Sequence, residues 1–200
     1  MIPFKFCSVL AIGLGVLTGF SAGTASAQEE KGKNPVVVLD TSAGPITLEL
    51  YPDKAPITVA NFLKYVDDGF YDNLIFHRII DGFMIQGGGL NDKMEEKRRG
   101  IQPPIKNESS NGLSNAKGTI AMARTNNPNS ATCQFFINLV DNKNLDDSTG
   151  RGYTVFGKVI KGIDVVEAMG KVQTTSRGPH QDVPVKPIYI KSAKRQQAKG

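Results

Sequence analysis

Residues 76–88 read Phe-His-Arg-Ile-Ile-Asp-Gly-Phe-Met-Ile-Gln-Gly-Gly. Two short apolar runs flank Asp81-Gly82, a turn signal between strands. Arg78 stands among apolar neighbours. Strict alternation puts Phe76, Arg78 and Ile80 on one face and His77 and Ile79 on the other. An arginine on an apolar strand face either finds a partner or snorkels to water. Gln86, on the following strand, is in place to be that partner.

Outward from this hairpin the chain repeats short strand patterns. Residues 36–39 and 46–50 are rich in β-branched and aliphatic side chains, and 41–45 (Thr-Ser-Ala-Gly-Pro) turns between them. Residues 46–50 alternate apolar and polar, so one face is buried and the other wet. Further strands are predicted over 74–80, 83–86, 119–123, 135–139, 154–159 and 188–190. A helix is predicted over 56–68, with Val59, Phe62, Leu63 and Val66 on one face and Asp68-Gly69 as its stop. A second covers 163–169. Many short strands, Gly-rich turns and two helices predict a mostly β fold, a closed or nearly closed antiparallel barrel. Residues 91–115 are polar and turn-rich and read as a long surface loop, a kind of segment that often carries function. His180 is read in a Gly-Pro-rich loop.

The 200 residues are 40% apolar and 22% charged, with formal charge +5 and no Trp. This is too apolar for a disordered chain. Residues 1–27 read as a cleaved signal peptide: Lys5, an apolar run over 9–20, and Ala25-Ser26-Ala27 as the cut. The run is shorter than the roughly 20 residues of a membrane span, and an uncleaved anchor is the alternative. Residues 28–34 are a polar lead-in, 35–193 the folded domain and 194–200 a basic tail. Of two cysteines, Cys7 leaves with the signal peptide, so Cys133 stands alone and reads as a buried, inert thiol. The expected location is periplasmic, with no stable membrane insertion after cleavage.

Common catalytic constellations are missing. His77 and His180 lack metal-type spacing, and there is no nucleophile elbow or P-loop. Gly87-Gly88-Gly89 reads as a turn. Lys97-Arg98-Arg99 is far short of a nucleic-acid stripe. No metal, no cofactor and no nucleic-acid partner is expected.

Three ordered blocks carry a family resemblance. They are 76–88, then 118–124 (GTIAMAR) followed by 134–137 (QFFI), then 153–159 (YTVFGKV) running into 162–166 (GIDVV). Together they resemble the cyclophilin family of peptidyl-prolyl cis–trans isomerases, over about residues 35–193, and look most like its bacterial periplasmic branch. The resemblance implies an eight-stranded antiparallel barrel closed by two helices. It implies that Arg78 is the catalytic arginine and that Gln86 orients it and contacts substrate backbone. Phe83, Met84, Phe136 and Leu145 match the walls of a proline pocket. The backbone at Ala123 and Arg124 matches the peptide-pairing segment, Gln134 belongs to the same block and Tyr153 takes the rim position. The implied partners are proline-containing segments of client proteins, met by a monomer. Asn144 falls where many members carry the tryptophan that supports cyclosporin binding, which implies weak binding here. Arg124 replaces a common asparagine, and Cys133 a small polar residue. A binding module without turnover would use the same pocket, and Arg78 favours the enzyme. A barrel that stacks sugars or bases would want exposed aromatics; the absence of Trp, with Phe mostly inside apolar runs, argues against it.

Overall fold

The computed structural model describes residues 34–196. The stretch read as a signal peptide lies outside the described residues, as do 28–33 and 197–200. Eight antiparallel strands close a barrel: β1 (Val36–Thr41), β2 (Gly44–Leu50), β3 (Leu74–Ile80), β4 (Met84–Gly87), β5 (Thr119–Met122), β6 (Phe135–Asn138), β7 (Val155–Lys161) and β10 (Tyr189–Arg195). Their spatial order is β1-β10-β3-β4-β6-β5-β7-β2, and β2 returns to β1. Closure removes every unpaired sheet edge, which an open antiparallel sheet of short strands would expose.

The barrel interior is one apolar cluster. Val37 and Leu39 of β1 and Ile46, Leu48 and Leu50 of β2 are fully buried in it. Helix α1 (Pro56–Asp67) adds Val59, Phe62, Leu63, Tyr65 and Val66, and helix α2 (Ile163–Gly170) adds Val166 and Met169. Phe62 packs at ring-centroid distances of 5.2 Å to Phe156, 5.4 Å to Tyr71 and 5.6 Å to Phe135. Such aromatic contacts add roughly 0.5–1.5 kcal/mol per pair beyond burial. The apolar spacing of 56–68 is thus realised as a core face.

Helix α1 starts without a cap of its own. Ala55 at the N-cap offers no side-chain acceptor, so the first backbone N–H groups need an outside partner. Glu108 supplies it from fifty residues away. Its carboxylate accepts from the backbone N–H of Ile57 at 3.1 Å, from that of Thr58 at 2.8 Å and from the Thr58 hydroxyl at 2.7 Å. The carboxylate also sits at the positive end of the helix dipole. Asn107 donates to the Gly152 carbonyl at 2.9 Å, and Asn111 to that of Val155 at 2.9 Å. The 91–115 segment is therefore anchored to the body of the fold.

Three local readings are corrected. His180 is not in a loop but opens a strand: β8 (Thr174–Arg177) and β9 (His180–Pro184) form a separate hairpin. Arg177 pairs with His180 across Gly178-Pro179, and the φ of +57° at Gly178 makes the tight turn. β10 continues to Arg195, whose backbone pairs with Val37 and whose guanidinium meets Asp67. The start of the basic tail is thus strand, since β1 offers it a ladder. In β3 the ladder slips between Phe76 and Arg78, which pair with the consecutive residues Gly87 and Gln86. His77 is the extra residue of this bulge, and strict alternation fails there. Phe76 and Ile79 point into the barrel core, while Ile80 joins a second cluster.

The Glu108 cap gives a direct test. Glu108→Ala is expected to lower the unfolding free energy by about 1–2 kcal/mol in urea titration. An unchanged midpoint would show that α1 does not need this carboxylate.

Candidate active site

A second, smaller apolar cluster lies apart from the barrel core. Met84, Ala121, Phe136 and Val155 are buried in it, and Ile80, Phe83, Leu113, Ala123, Leu145 and Tyr153 pack around them half-buried. Neighbouring residues of the same strands go the other way: Ile85 of β4, Ile120 of β5 and Ile137 of β6 join the barrel core. Period-two alternation thus serves two clusters, one on each side of the wall.

This cluster lines a cavity of about 220 Å³, bounded by Arg78, Phe83, Met84, Gln86, Ala123, Arg124, Phe136, Leu145 and Tyr153. Drug-sized clefts run to about 300–1,000 Å³, so this space suits a side chain rather than a whole cofactor. Nine of the ten residues singled out from sequence bound it. Gln134, the tenth, reaches it through Gln86: the Gln86 amide donates to the Gln134 carbonyl oxygen at 2.9 Å. Gly89 permits this, since a Cβ there would meet the Gln134 side chain at 2.6 Å. The glycine triplet is more than a turn; it lets Gln134 lie against the backbone.

Arg78 and Gln86 are register partners on β3 and β4, yet their side chains do not hydrogen-bond. The partner expected from sequence is engaged elsewhere. Arg78 Nε instead lies 3.6 Å from Asp182 Oδ2 of β9, and the two side chains are 44% and 37% exposed. The guanidinium is therefore held at the edge of the cavity with water on one side.

The rim is braced by polar contacts. The Arg124 guanidinium stacks 4.3 Å from the Tyr153 ring centre. It also donates to the carbonyls of Thr125 at 2.8 Å and Gly152 at 3.3 Å, and to that of Arg151. Tyr153 meets Phe136 edge-on at 5.6 Å. Below the rim runs a chain of buried amides that sequence reasoning missed. Asn142 donates to the Phe83 carbonyl at 2.9 Å and to Asn138 at 2.8 Å. Asn138 donates to Asn115 at 3.3 Å, and Asn115 to Asp146 at 2.8 Å. The network ties the Phe83 carbonyl to the segment around the 3₁₀ turn Lys143–Leu145, and Phe83 and Leu145 both line the cavity. Burial acts to raise the Asp146 pKa, but hydrogen bonds from Ser114 and Asn115 outweigh it and hold the carboxyl below its usual range. Asn115 and Asn142 sit in polar, turn-rich sequence and Asn138 ends an apolar strand, so only burial marks the three out.

The comparisons with known proteins converge on one family. Residues 36–195 match the model of the cyclophilin type peptidyl-prolyl cis-trans isomerase family. The chain belongs to that family. It is 51% identical over 179 residues to peptidyl-prolyl cis-trans isomerase A of Dickeya dadantii, covering 89% of this chain and 90% of the relative. It is 52% identical over 161 residues to peptidyl-prolyl cis-trans isomerase B of Escherichia coli, covering 78% of this chain and 97% of the relative. A crystal structure of a Cryptosporidium parvum cyclophilin type isomerase, in the presence of the dipeptide Ala-Pro, superposes with TM-score 0.70 at 27% identity. It covers 81% of this chain and 99% of that one. The expected cyclophilin barrel is thus found, and the activity of the family is isomerisation of peptidyl-prolyl bonds.

Two buried groups of this cyclophilin are chemically quiet. Burial pushes the Cys133 thiol pKa up, away from the reactive thiolate. His77 is 6% exposed and its Nδ1 has no hydrogen-bond partner. Burial, then the nearby His180 and Arg78, push its pKa down to about 4, against an opposing backbone hydrogen bond at Ile75. The folded chain keeps His77 neutral to about pH 4, while the unfolded chain protonates it near 6.5. The unfolded state binds more protons in that window, so stability falls as pH drops through it. His77→Gln is expected to remove roughly 3 kcal/mol of this acid-driven loss between pH 6.5 and 4. Equal pH slopes for parent and variant in urea unfolding would contradict it.

Proposed function

We propose that this cyclophilin accelerates rotation about X-Pro bonds by aiming the Arg78 guanidinium at the proline nitrogen, with the ring seated in the apolar cavity. The supporting observation is the placement of Arg78: a permanent cation on the wall of a cavity whose apolar sides are Phe83, Met84, Phe136 and Leu145, while the second cation there, Arg124, gives its guanidinium to the carbonyls of Gly152 and Thr125.

The chemistry needs little else. Amide resonance sets a rotational barrier of about 18–20 kcal/mol, and uncatalysed X-Pro exchange takes tens to hundreds of seconds. At the barrier top the C–N bond is twisted, and the proline nitrogen is pyramidal with a localised lone pair. A donor aimed at that lone pair binds the twisted amide more strongly than the planar one, and only such differential binding raises the rate. Arginine stays charged at all working pH and its planar head carries several donors. The apolar walls grip the ring and exclude water, which favours the less polar twisted amide.

The rest of the peptide has to be held while one side turns. β5 ends at Met122. Beyond it the Ala123 N–H is used by the Gln134 carbonyl at 3.0 Å, and the Arg124 backbone groups make no hydrogen bond among the described residues. An extended substrate segment can pair with that backbone as an added strand. Gln86, steadied by Gln134, offers an amide to the same backbone. In this reading the apolar core of Phe136 and Met84 sets the ring's position, and Tyr153, clamped by Arg124, sets the rim.

The clients are proline-containing segments of proteins folding in the periplasm, which the chain reaches by cleavage after Ala27. There it acts as a folding helper and as a monomer. Support comes from the pattern of residues 1–27 and from the absence of any second thiol in 28–200, which suits an oxidising compartment. Cyclosporin binds weakly, because Asn144 is exposed at the rim and offers no aromatic face. Stoichiometric inhibition at micromolar protein would contradict that.

Arg78→Ala is expected to cost about 10²–10³ in kcat with the fold retained, the usual loss for one preorganised donor. Exchange NMR on an Ala-Pro peptide measures it. Full activity in folded Arg78→Ala would overturn the mechanism.

A further inference from the structure

We propose that Asp182, on the β8–β9 hairpin, is a positioning residue for Arg78. This rests on the reading of Arg78 given above and extends it to an element outside the barrel.

Three observations converge on Asp182. The first is its pairing: its Oδ2 lies 3.6 Å from Arg78 Nε. The carboxylate has no hydrogen bond and no second cation among the described residues, and Arg78 has no other charged partner among them. The second is its backbone. Asp182 has a φ of +57°, one of three non-glycine residues among those described in the left-handed region. Aspartate tolerates that region better than most residues, yet it remains an uncommon conformation for any side chain with a Cβ. The third is the ladder. β8 and β9 pair at Thr175↔Val183 and at Arg177↔His180. One residue on β8, Ser176, therefore faces two on β9, Gln181 and Asp182. That is a bulge, and bulges re-aim side chains beside active sites.

The geometry follows from the anchors. Val183 is 1% exposed and Pro184 is buried, so β9 is fixed just past the bulge. β9 packs against β3, the strand that carries Arg78. Between a fixed end and a tight turn, the bulge and the left-handed φ set the direction of Asp182. The carboxylate lies beside Nε and leaves the two terminal NH₂ groups of Arg78 without partners among the described residues. Those are the groups that a substrate nitrogen can meet. The Gln86 amide N–H goes to Gln134, and its side chain makes no hydrogen bond to Arg78. Asp182 thus does what the sequence assigned to Gln86, by limiting the rotamers of a long cation at the cavity edge. Local strain that persists beside a functional group is the expected mark of such a role.

The expected effect is modest, because both side chains are partly exposed and exposed pairs contribute little. Asp182→Asn keeps the shape and tolerates the left-handed backbone but removes the charge. Asp182→Gly removes the charge and relieves the backbone. In exchange NMR on an Ala-Pro peptide with the purified chain, both variants are expected to lose about threefold to fivefold in kcat at low salt, with KM unchanged. At about 1 M salt, where the Debye length is about 3 Å, the parent is expected to fall towards the variants. The ¹⁵Nε resonance of Arg78 is expected to shift in Asp182→Asn. A double-mutant cycle separates the two proposals. In the Arg78→Ala background, Asp182→Asn should cost nothing further. Parent-like kcat in both folded Asp182 variants overturns the positioning role, as does an equal loss with and without Arg78. Full activity of Arg78→Ala itself overturns the reading of Arg78 on which the role rests.

Discussion

The bulge at His77 is the constraint on which the site depends. One extra residue in β3 shifts the side-chain parity between Phe76 and Arg78. Without it, a strand that sends Phe76 into the barrel would send Arg78 there too. An unpaired guanidinium in the apolar interior is prohibitive, since burying a lone charge costs many kcal/mol. With it, Phe76 and Ile79 feed the barrel core while Ile80 feeds the outer cluster, and Arg78 reaches the cavity. The residue that absorbs the irregularity is His77, buried, neutral and lacking a partner at Nδ1. Its discomfort is the local cost of placing a cation beside an apolar pocket.

The barrel makes that placement rigid. β4, β5 and β6 each carry core residues on one face and cavity residues on the other, so the pocket is the reverse side of a packed wall. Met84 and Phe136 pair through neighbouring ladder positions, with Gln86↔Phe136 and Met84↔Asn138 in register. The loop residues are less well supported by the sheet, and they are held by polar contacts instead. Asn142 secures the Phe83 carbonyl, Asn115 and Asp146 secure the turn that brings Leu145 forward, and Arg124 ties Tyr153 to the segment after β5. A network whose members are all satisfied stiffens a site, whereas a half-satisfied one would loosen it.

Much of this was legible in the residues. Short apolar runs and the 3.6 period located the barrel strands, the last by its first residues only, and both helices, because each buries one face against the core. The three ordered sequence blocks pointed to the family, and nine of the ten residues that the resemblance implied surround one cavity. The failures have a common form. The β8–β9 hairpin is polar and almost wholly exposed along β8, so it has no apolar alternation to announce it. The charged end of β10 looked like a tail because its ladder partners, Val37 and Val38 of β1, lie far back in the chain. Gln86 looked like the partner of Arg78 because register neighbours are easy to infer, while the bond that its amide makes to Gln134 depends on how closely the chain before β6 passes Gly89.

Sequence alone thus determined where the apolar strands of the barrel run, which residues are apolar enough to form a core and a pocket, and that Arg78 is a cation placed among them. Those properties are local, written in side-chain chemistry and spacing of a few residues. Tertiary structure decided which face each side chain takes after the His77 bulge, that Glu108 caps a helix fifty residues away, and that Asp182 rather than Gln86 meets Arg78. Each depends on the approach of segments distant in the chain. Such contacts are set by register and closure of the barrel, and no local pattern encodes them.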